Sequence, residues 1–519
     1  MSEQEREELK RTKVQHLKKK LKTGEEDIKK KAPVKLRRRR RSRKRQRVVL
    51  FVMLGILALA VLTTYVVLKD HYETYPGAME RETLRLMGRG SDYLAFRWEA
   101  ARNIDEYKVY FKEYVRKDTR ENPGSEEYDL TVDESWEERS TKGTEIMFDD
   151  LKEGTTYAIA LRADSPSMEG SITRAKTFST KKTQNLNITK KITKLTSSKP
   201  FKIAGNAQTQ LKCESSNPEV AEVNEKTGEI VIKGPGVTDI MIEAEESAFY
   251  KADSGVTELT VLDSSPVRAG GARAYTIHHL SADNCEVVKE ISGADGADIP
   301  QSFGYTGDKY IVAFGMGSPD RIISFDVEGD GKEVSVPQIS LGHPNGFAYA
   351  DENKTCYCVK GWSSRAVTYK PETGEYGTMN FSYGCSGIGY DRKEKKLYTS
   401  SRTVMASYNI ADYSVANTTG VVSHSGSMAT QDVGGHGGIM LRCLSPNGNK
   451  HGINYIDLYD MREGMYLGSF SCDLSEVEDA IVNKEGFLEI LANNSGNPDY
   501  IWRTDINIET LAEGINYEN

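Results

Sequence analysis

The alternation of apolar and polar positions divides the chain into one long apolar run and many short alternating stretches. The run, Val48–Leu68, contains 21 residues without a charge and as a helix would span about 31 Å, the thickness of the hydrocarbon core of a bilayer. A cleaved signal peptide has a shorter apolar region and a small-residue cleavage site, and no such site follows Leu68. The pattern therefore predicts a retained transmembrane helix over 48–68, between a tail (1–47) and a stem (69–78).

Beyond the stem, apolar residues recur at every second position in short stretches such as Tyr93–Trp98, Tyr107–Phe111 and Tyr157–Ala163. This is the period of half-buried β-strands. At 519 residues, 45 of them glycine, the chain has room for about three or four domains rich in turns. The predicted fold class is an all-β ectodomain on a single N-terminal transmembrane helix.

The C-terminal half contains five similar segments, which start at residues 302, 345, 386, 428 and 478. Each reads as a strand, a charged turn and a second strand, and a third strand follows about ten residues later. Four strands in about 40–50 residues is typical of a β-propeller blade. The repeats predict a propeller over 270–519 with five blades; six blades or an array of β-sandwiches are the alternatives. Two earlier strands, Ala274–Ile277 and Cys285–Ile291, are expected to pair with the last blade and close the propeller.

Residues 79–183 carry three recognisable features. They are a core-type tryptophan at Trp98, a corner motif formed by Leu151, Gly154 and Tyr157, and a Thr-Phe-Ser-Thr final strand at 177–180. These features resemble a fibronectin type III domain. The resemblance implies a β-sandwich with Trp98 and Tyr157 in its core and with the Tyr157 hydroxyl bonded back to the chain. The loop at Arg120–Ser125 departs from the minimal pattern of that family.

Residues 185–263 contain the sequences SSNPEVAEV, TGEI and GPGVTDIMIEA, which start at Ser215, Thr227 and Gly234. They look like the bacterial immunoglobulin-like domain, group 2, which would be a second β-sandwich. Domains of that family are spacers and adhesive modules on bacterial surfaces, so the resemblance implies a bacterial host and an envelope location. The segment His343–Ala350 resembles a strand of NHL and YVTN-type propellers, in agreement with the repeats.

Charge is distributed unevenly along the chain. Residues 1–47 carry 21 Lys and Arg against 7 Asp and Glu, and residues 69–519 carry 48 against 69, so the net charges are +14 and −21. Because basic residues beside a span stay in the cytoplasm, the Arg37–Arg47 cluster predicts a single-pass cell-membrane protein with its N-terminus inside and its ectodomain outside. Val48–Leu68 and this cluster are expected to contact membrane lipid, and no nucleic-acid partner is expected.

The cysteines and acidic loops predict neither a metal nor a cofactor. Seven cysteines without a C-x-x-C motif favour buried thiols over a disulfide framework, although a Cys443–Cys472 pair stays open. The loop that starts at Asp326 has Pro337 where a calcium loop needs glutamate. Gly434–Gly438 fits either a hairpin turn or a close approach of the backbone to a ligand.

The geometry of a propeller suggests one ligand site. The first strand of each blade lines the central channel, so the residues at the starts of these strands converge on one opening. These residues are Gln301, Ser302, His343, Asn345, Ser386, Met428, Glu478 and Asp479. A merely solvated channel is the plainer interpretation. Two carboxyls placed for glycoside hydrolysis are hard to obtain there, because neighbours on a strand point to opposite faces.

The favoured function is that of a membrane-anchored bacterial surface protein. Its sandwich stalk would present the propeller to a cell-wall or extracellular glycan or protein ligand, in adhesion or recognition. The alternatives are an envelope enzyme acting on polysaccharide or peptide at the propeller mouth, and an envelope scaffold. Binding is favoured over catalysis because no Ser-His-Asp set, phosphate-binding loop or metalloprotease motif is visible in the sequence.

Overall fold

The structure is a computed structural model. It describes residues 43–517 apart from 80–82, 116–130, 204, 293–298, 316–319, 336–340, 362, 448–451 and 495–497, and it leaves out the side chains of 43–47 and 72–74. The tail at 1–42, which includes the first part of the Arg37–Arg47 cluster, and the Arg120–Ser125 loop lie outside the described residues. The described part is β-rich and modular, with one long helix at its N-terminal end.

The long helix, α1, runs over Arg43–Thr74. Its segment Val48–His71 is long and apolar enough to cross a membrane. The apolar side chains of this segment are exposed, from Leu54 at 50% to Phe51 at 71%, because no other described part of the chain packs against them. The helix continues past Leu68 into the predicted stem, since the first proline beyond the apolar run is Pro76.

Seven strands form two sheets over the first predicted sandwich. They are β1 (Arg85–Arg89), β2 (Leu94–Arg97), β3 (Glu106–Glu113), β4 (Glu137–Thr141), β5 (Glu145–Phe148), β6 (Thr156–Asp164) and β7 (Lys176–Ser179), in the orders β1-β2-β5 and β4-β3-β6-β7. Trp98 is buried against Tyr107, with 5.4 Å between their ring centroids. The Tyr157 hydroxyl accepts a 2.9 Å hydrogen bond from the Lys152 amide. Trp98 and Tyr157 both belong to the core of this sandwich, as predicted.

The next seven strands also form two sheets. They are β8 (Lys191–Leu195), β9 (Phe201–Lys202), β10 (Leu211–Ser215), β11 (Ala221–Val223), β12 (Glu229–Ile232), β13 (Gly236–Ala244) and β14 (Asp253–Leu262), in the orders β10-β13-β14-β8 and β11-β12-β9. Apolar residues at alternate positions, such as Ile240 and Ile242 of β13, fill the space between the sheets. The β8 strand runs parallel to β14, a pairing that the sequence alone does not predict.

The remaining strands form five sheets, called here the five-sheet region. Its early strands are β15 (Val267–Arg268), β16 (Thr276–Leu280), β17 (Cys285–Ile291), β18 (Ile299–Tyr305), β19 (Lys309–Gly315), β20 (Arg321–Asp326), β21 (Lys332–Ser335), β22 (Pro344–Ala350), β23 (Thr355–Lys360), β24 (Ser363–Lys370) and β25 (Glu375–Cys385). The later strands are β26 (Gly387–Asp391), β27 (Lys396–Ser400), β28 (Val404–Asn409), β29 (Val415–Gly420), β30 (Met428–His436), β31 (Ile439–Pro446), β32 (Asn454–Asp460), β33 (Met465–Cys472), β34 (Glu476–Val482), β35 (Phe487–Asn493) and β36 (Asp499–Asn507), before a short helix, α2 (Ile508–Leu511).

Each of the five predicted repeats corresponds to one sheet. Three sheets are β18 to β21, β22 to β25 and β26 to β29, each in sequence order, and β30 to β33 form the fourth with β15 and β16 at its outer edge. In the fifth sheet, β17 pairs antiparallel with β36, as predicted for Cys285–Ile291. The prediction that the earlier strand, Ala274–Ile277, pairs with the last blade is wrong, because β16 pairs parallel with β33 of the fourth sheet. The edge of β36 is occupied by β17, which leaves the edge of β33 for β16.

Five strands, β18, β22, β26, β30 and β34, are called the inner strands. Each contacts the next in this order, and β34 also contacts β18. The second sandwich packs directly on the five-sheet region, because β8 contacts α2 and β36. Leu195 and Leu262 from the sandwich lie in one hydrophobic cluster with Leu511 and Ile515, so the two parts share a core.

Candidate functional site

A pocket of about 400 Å³ opens where the inner strands end. It is called the central pocket, and every inner strand or the turn after it contributes to its wall. The polar and aromatic lining residues are Phe303, Tyr305, Phe347, Tyr349, Tyr390, Arg392, Lys393, His436, Asp479, Asn483, Lys484 and Glu509. Aromatic faces with a few converging polar groups are the usual lining of a site for a small ligand.

Glycines in the inner strands explain why the site is narrow. A Cβ atom on Gly434 would lie 1.9 Å from the Ala480 carbonyl oxygen, and one on Gly389 would lie 2.3 Å from the Val433 carbonyl oxygen. Neighbouring inner strands thus approach each other at backbone distance, which only glycine permits.

Two buried aspartates lie beneath the central pocket. The Asp432 carboxylate of β30 accepts amide hydrogen bonds from Phe347 of β22 at 3.0 Å and from Ile388 of β26 at 2.8 Å. The Asp479 carboxylate of β34 accepts a 3.0 Å bond from the Phe303 amide of β18, and its side chain is also hydrogen-bonded to that of Asp432. This pair of carboxyls therefore connects all five inner strands.

The two aspartates share their burial and influence each other's ionisation. Burial raises the pKa of Asp432 well above its ordinary value, and the adjacent Asp479 raises it further. Burial likewise raises the pKa of Asp479. Because two neighbouring carboxylates in an apolar interior repel each other, the pair favours the state in which one of them is protonated. With their oxygens occupied by backbone amides and by each other, these carboxyls hold strands together and are poorly placed to act as an acid and a nucleophile.

Ion pairs hold the charged wall of the central pocket in place. The Arg392 guanidinium binds the Asp351 carboxylate and the Tyr305 carbonyl oxygen, and it lies 5.4 Å from the Tyr305 ring centroid. The Lys393 ammonium is 2.9 Å from the Glu509 carboxylate of α2. These contacts fix cationic groups and aromatic faces before any ligand arrives, which lowers the entropy cost of binding.

Burial also changes the ionisation of the aromatic wall. It raises the pKa of Tyr390 to about 12 and lowers the pKa of His436. The imidazole is therefore neutral at pH 7 and above, and its enclosed Nε2 atom has no hydrogen-bond partner among the described residues. In the segment Gly434–Gly438, Gly437 and Gly438 make the turn after β30, as one of the two predictions expects. Gly434, Gly435 and His436 line the pocket, and the approach of a ligand to this backbone stays a prediction.

The residues predicted to bind a ligand lie near the starts of the inner strands. The Ser302 hydroxyl donates to the Pro344 carbonyl oxygen at 3.0 Å, and the Ser386 hydroxyl donates to the Ser400 carbonyl oxygen at 2.9 Å. Glu478 is buried and accepts a 3.1 Å bond from the Asn493 amide group. These three side chains are thus engaged in contacts within and between the sheets.

The other predicted residues differ in exposure. Gln301 is buried, and its amide donates to the Pro300 carbonyl oxygen at 3.3 Å. His343 is exposed and Asn345 is half-buried. Partial desolvation of its imidazole by neighbouring residues lowers the pKa of His343, and nearby Glu476 opposes this shift. Among these described residues Asp479 alone lines the central pocket, and a ligand role for the set stays a prediction.

Irregular strand pairing occurs between the predicted ligand residues, near the starts of the inner strands, and the residues that line the central pocket. The register of the inner strands shifts at Gln301 in β18, at Asn345 in β22, between Thr430 and Val433 in β30, and at Glu478 in β34. A β-bulge redirects the side chains that follow it. The strict alternation of side chains that the sequence analysis assumes for neighbours on a strand therefore fails at these positions.

Comparison with known proteins gives no family for the chain. No family model matches it, and no curated protein matches it. Similar solved structures include the fibronectin type III domain of human collagen alpha-1(XX) chain, with 15% identity and a TM-score of 0.15 over 21% of this chain and 85% of that one. U3-55K has 12% identity and a TM-score of 0.27 over 43% of this chain and 99% of that one.

A structural genomics protein of unknown function from Bacteroides thetaiotaomicron is also similar. It has 11% identity and a TM-score of 0.29 over 60% of this chain and 95% of that one. All three TM-scores are below 0.5, so these similarities assign neither a family nor a function. The account of function rests on the residues of this chain.

Proposed function

We propose that the protein is a single-span membrane protein that binds a cell-envelope or extracellular ligand with its β-structured region. The observation that carries the proposal is the central pocket, which is preformed and lined by aromatic and charged side chains from all five inner strands. The apolar segment Val48–His71 supports a membrane anchor. The protein would be oriented with the arginine-rich tail in the cytoplasm and the β-structured region outside.

The proposal includes a finer architecture for the ectodomain. The first sandwich would be a fibronectin type III domain and the second a bacterial immunoglobulin-like domain of group 2, together forming a stalk. The five-sheet region would be a five-bladed propeller. Support for the propeller comes from the contacts between successive inner strands and from the pairing of β17 with β36, which joins the first and last strands of one blade.

Binding is proposed in preference to catalysis because of the chemistry of the pocket. Its buried acids are occupied by backbone amides, and its charged wall residues are largely paired. Such groups can orient and hold a ligand through hydrogen bonds and stacking. The opposite opening, with His343, Asn345 and Glu478, is the alternative ligand site.

A binding screen with a pocket variant tests this proposal. Full-length protein in lipid nanodiscs would be screened against envelope polysaccharide fragments, wall peptides and extracellular proteins. Tyr349→Ala removes an aromatic face of the pocket, whereas Tyr383→Ala removes a tyrosine that is 37% exposed on β25, away from the pocket. We expect Tyr349→Ala to abolish or greatly weaken binding of the ligand found and Tyr383→Ala to leave it unchanged. Equal binding by both variants would contradict a ligand site in the central pocket.

A further inference from the structure

We propose that the central pocket and a neighbouring groove together bind one extended, carboxylate-bearing oligosaccharide. This inference rests on the proposed function and names its ligand class. The groove, called the interdomain groove, is a cavity of about 480 Å³ between the second sandwich and the five-sheet region. Its lining includes Lys194, Lys199, Phe201, Lys202, Glu485 and Glu509.

The two cavities adjoin each other. Glu509 of α2 lines both. The turn after β34 also contributes to both, with Lys484 in the central pocket and Glu485 in the groove. A ligand that leaves the pocket past α2 therefore enters the groove, so the combined site suits a chain of several units better than a single small molecule.

The groove is preformed, because direct hydrogen bonds fix its two sides. The Thr193 amide donates to the Thr510 hydroxyl at 2.9 Å, and the Asn507 amide donates to the Thr193 hydroxyl at 3.0 Å. The Lys194 ammonium, on a side chain that is 4% exposed, donates to the Glu513 carbonyl oxygen at 3.0 Å. An extended ligand would meet a rigid surface without having to order it.

Charge distinguishes this surface from the rest of the ectodomain. Residues 69–519 have a net charge of −21, yet six basic and four acidic side chains line the two cavities. Within the part of the chain that the structure describes, no ion pair holds Lys199, Lys202 or Lys484. Free cations in an acidic protein favour an anionic ligand.

Aromatic side chains favour a sugar over an acidic peptide. Tyr349 and Tyr390 are half-buried in the central pocket, and Phe201 is half-buried in the groove. The C–H face of a pyranose ring packs on such aromatic faces while its hydroxyls bond to paired side chains such as Lys393 and Glu509. An extended peptide is usually held by a free strand edge. Among the described residues two edge strands line the groove: β9 has two residues, and β8 is already hydrogen-bonded through Thr193 to Asn507 and Thr510.

Fluorescence anisotropy with labelled oligosaccharides tests the inference. The probes are an octamer of galacturonic acid, the same octamer with its carboxyls reduced to alcohols, and an octaglutamate peptide. They are added to the full-length protein in neutral lipid nanodiscs. We expect the acidic octamer to bind about tenfold more tightly than the reduced octamer and the peptide, and its affinity to fall as salt is raised.

Variants locate the binding. Replacement of Lys199 and Lys202 together by glutamine should weaken binding of the acidic octamer about tenfold, whereas Lys212→Gln, at an exposed lysine of β10, should not change it. Equal binding of the three probes, or no effect of the double variant, would overturn the inference. If another compound binds in a Tyr349-dependent way while the acidic octamer does not bind, the inference fails and the proposed function stands.

Discussion

At the scale of single residues, the buried pair Asp432 and Asp479 controls the centre of the five-sheet region. Because burial raises the pKa of both carboxyls, the folded protein retains a proton that the unfolded chain loses above about pH 4. For this pair, stability is therefore fully present below about pH 4 and declines as the pH rises towards the raised pKa.

The variant Asp479→Asn removes one of the two carboxyls, and with it the repulsion that adds to the raised pKa of Asp432, while keeping the shape of the side chain. We expect the slope of the unfolding free energy against pH, between about pH 5 and 9, to become less negative by up to about 1.4 kcal/mol per pH unit. Urea unfolding at a series of pH values measures it. Asp239→Asn, at an exposed position of β13, is the control. An unchanged slope in Asp479→Asn would show that no proton is held there.

The inner-strand glycines give a second prediction at this scale. Gly434→Ala places a Cβ atom against the Ala480 carbonyl oxygen, where there is no room for it, and should lower the unfolding free energy by about 3 kcal/mol. Gly270→Ala is the matched control, since a Cβ atom there meets nothing within 4 Å. Chemical denaturation compares the two variants. Similar stabilities would contradict backbone-distance packing of β30 against β34.

Only part of the residue-scale picture could be predicted from the sequence. Trp98 and Tyr157 were placed in the first core because their motif fixes their local geometry. From the sequence, Asp479 is only one of the polar residues expected at the channel opening, and nothing in the pattern pairs it with Asp432. Their pairing depends on bulges at Glu478 and between Thr430 and Val433, and a bulge leaves no reliable mark on an alternating pattern.

At the scale of elements, the sequence predicted periodic structure well and pairing less well. The apolar run became part of α1, and each repeat became one sheet. The parallel pairs β8 with β14 and β16 with β33 were not predicted, because alternation identifies a strand without naming its neighbour. The central pocket was missed for a related reason, as it lies at the strand ends opposite to those considered.

The first sandwich offers a prediction about one element group. Trp98→Ala removes the buried indole that packs on Tyr107 and should destabilise this sandwich by about 3–5 kcal/mol. The junction with the second sandwich consists of polar contacts, such as the hydrogen bond from the Lys182 amide to the Phe249 carbonyl oxygen. The calorimetric transition in which the second sandwich unfolds should therefore hardly move. A common shift of all transitions would indicate one fused core.

At the scale of the whole molecule, the second sandwich and the five-sheet region should unfold together. Leu195 of β8 is fully buried in the cluster that also contains Ile515. Leu195→Ala should therefore lower the stability of both parts by about 2–5 kcal/mol in one transition. Val237→Ala, at a position of β13 that is 55% exposed, should change little. Separate transitions for the two parts would contradict a shared core.

The central claim is that the β-structured region is displayed outside the membrane on one helix. Protease treatment of intact cells that express the full-length protein, with a different epitope tag at each end, tests it most directly. The arginine-rich side of Val48–His71 is expected to remain in the cytoplasm. We therefore predict that the C-terminal tag is lost while the N-terminal tag and α1 stay protected until the cells are lysed. Protection of the C-terminal tag on intact cells would contradict the account.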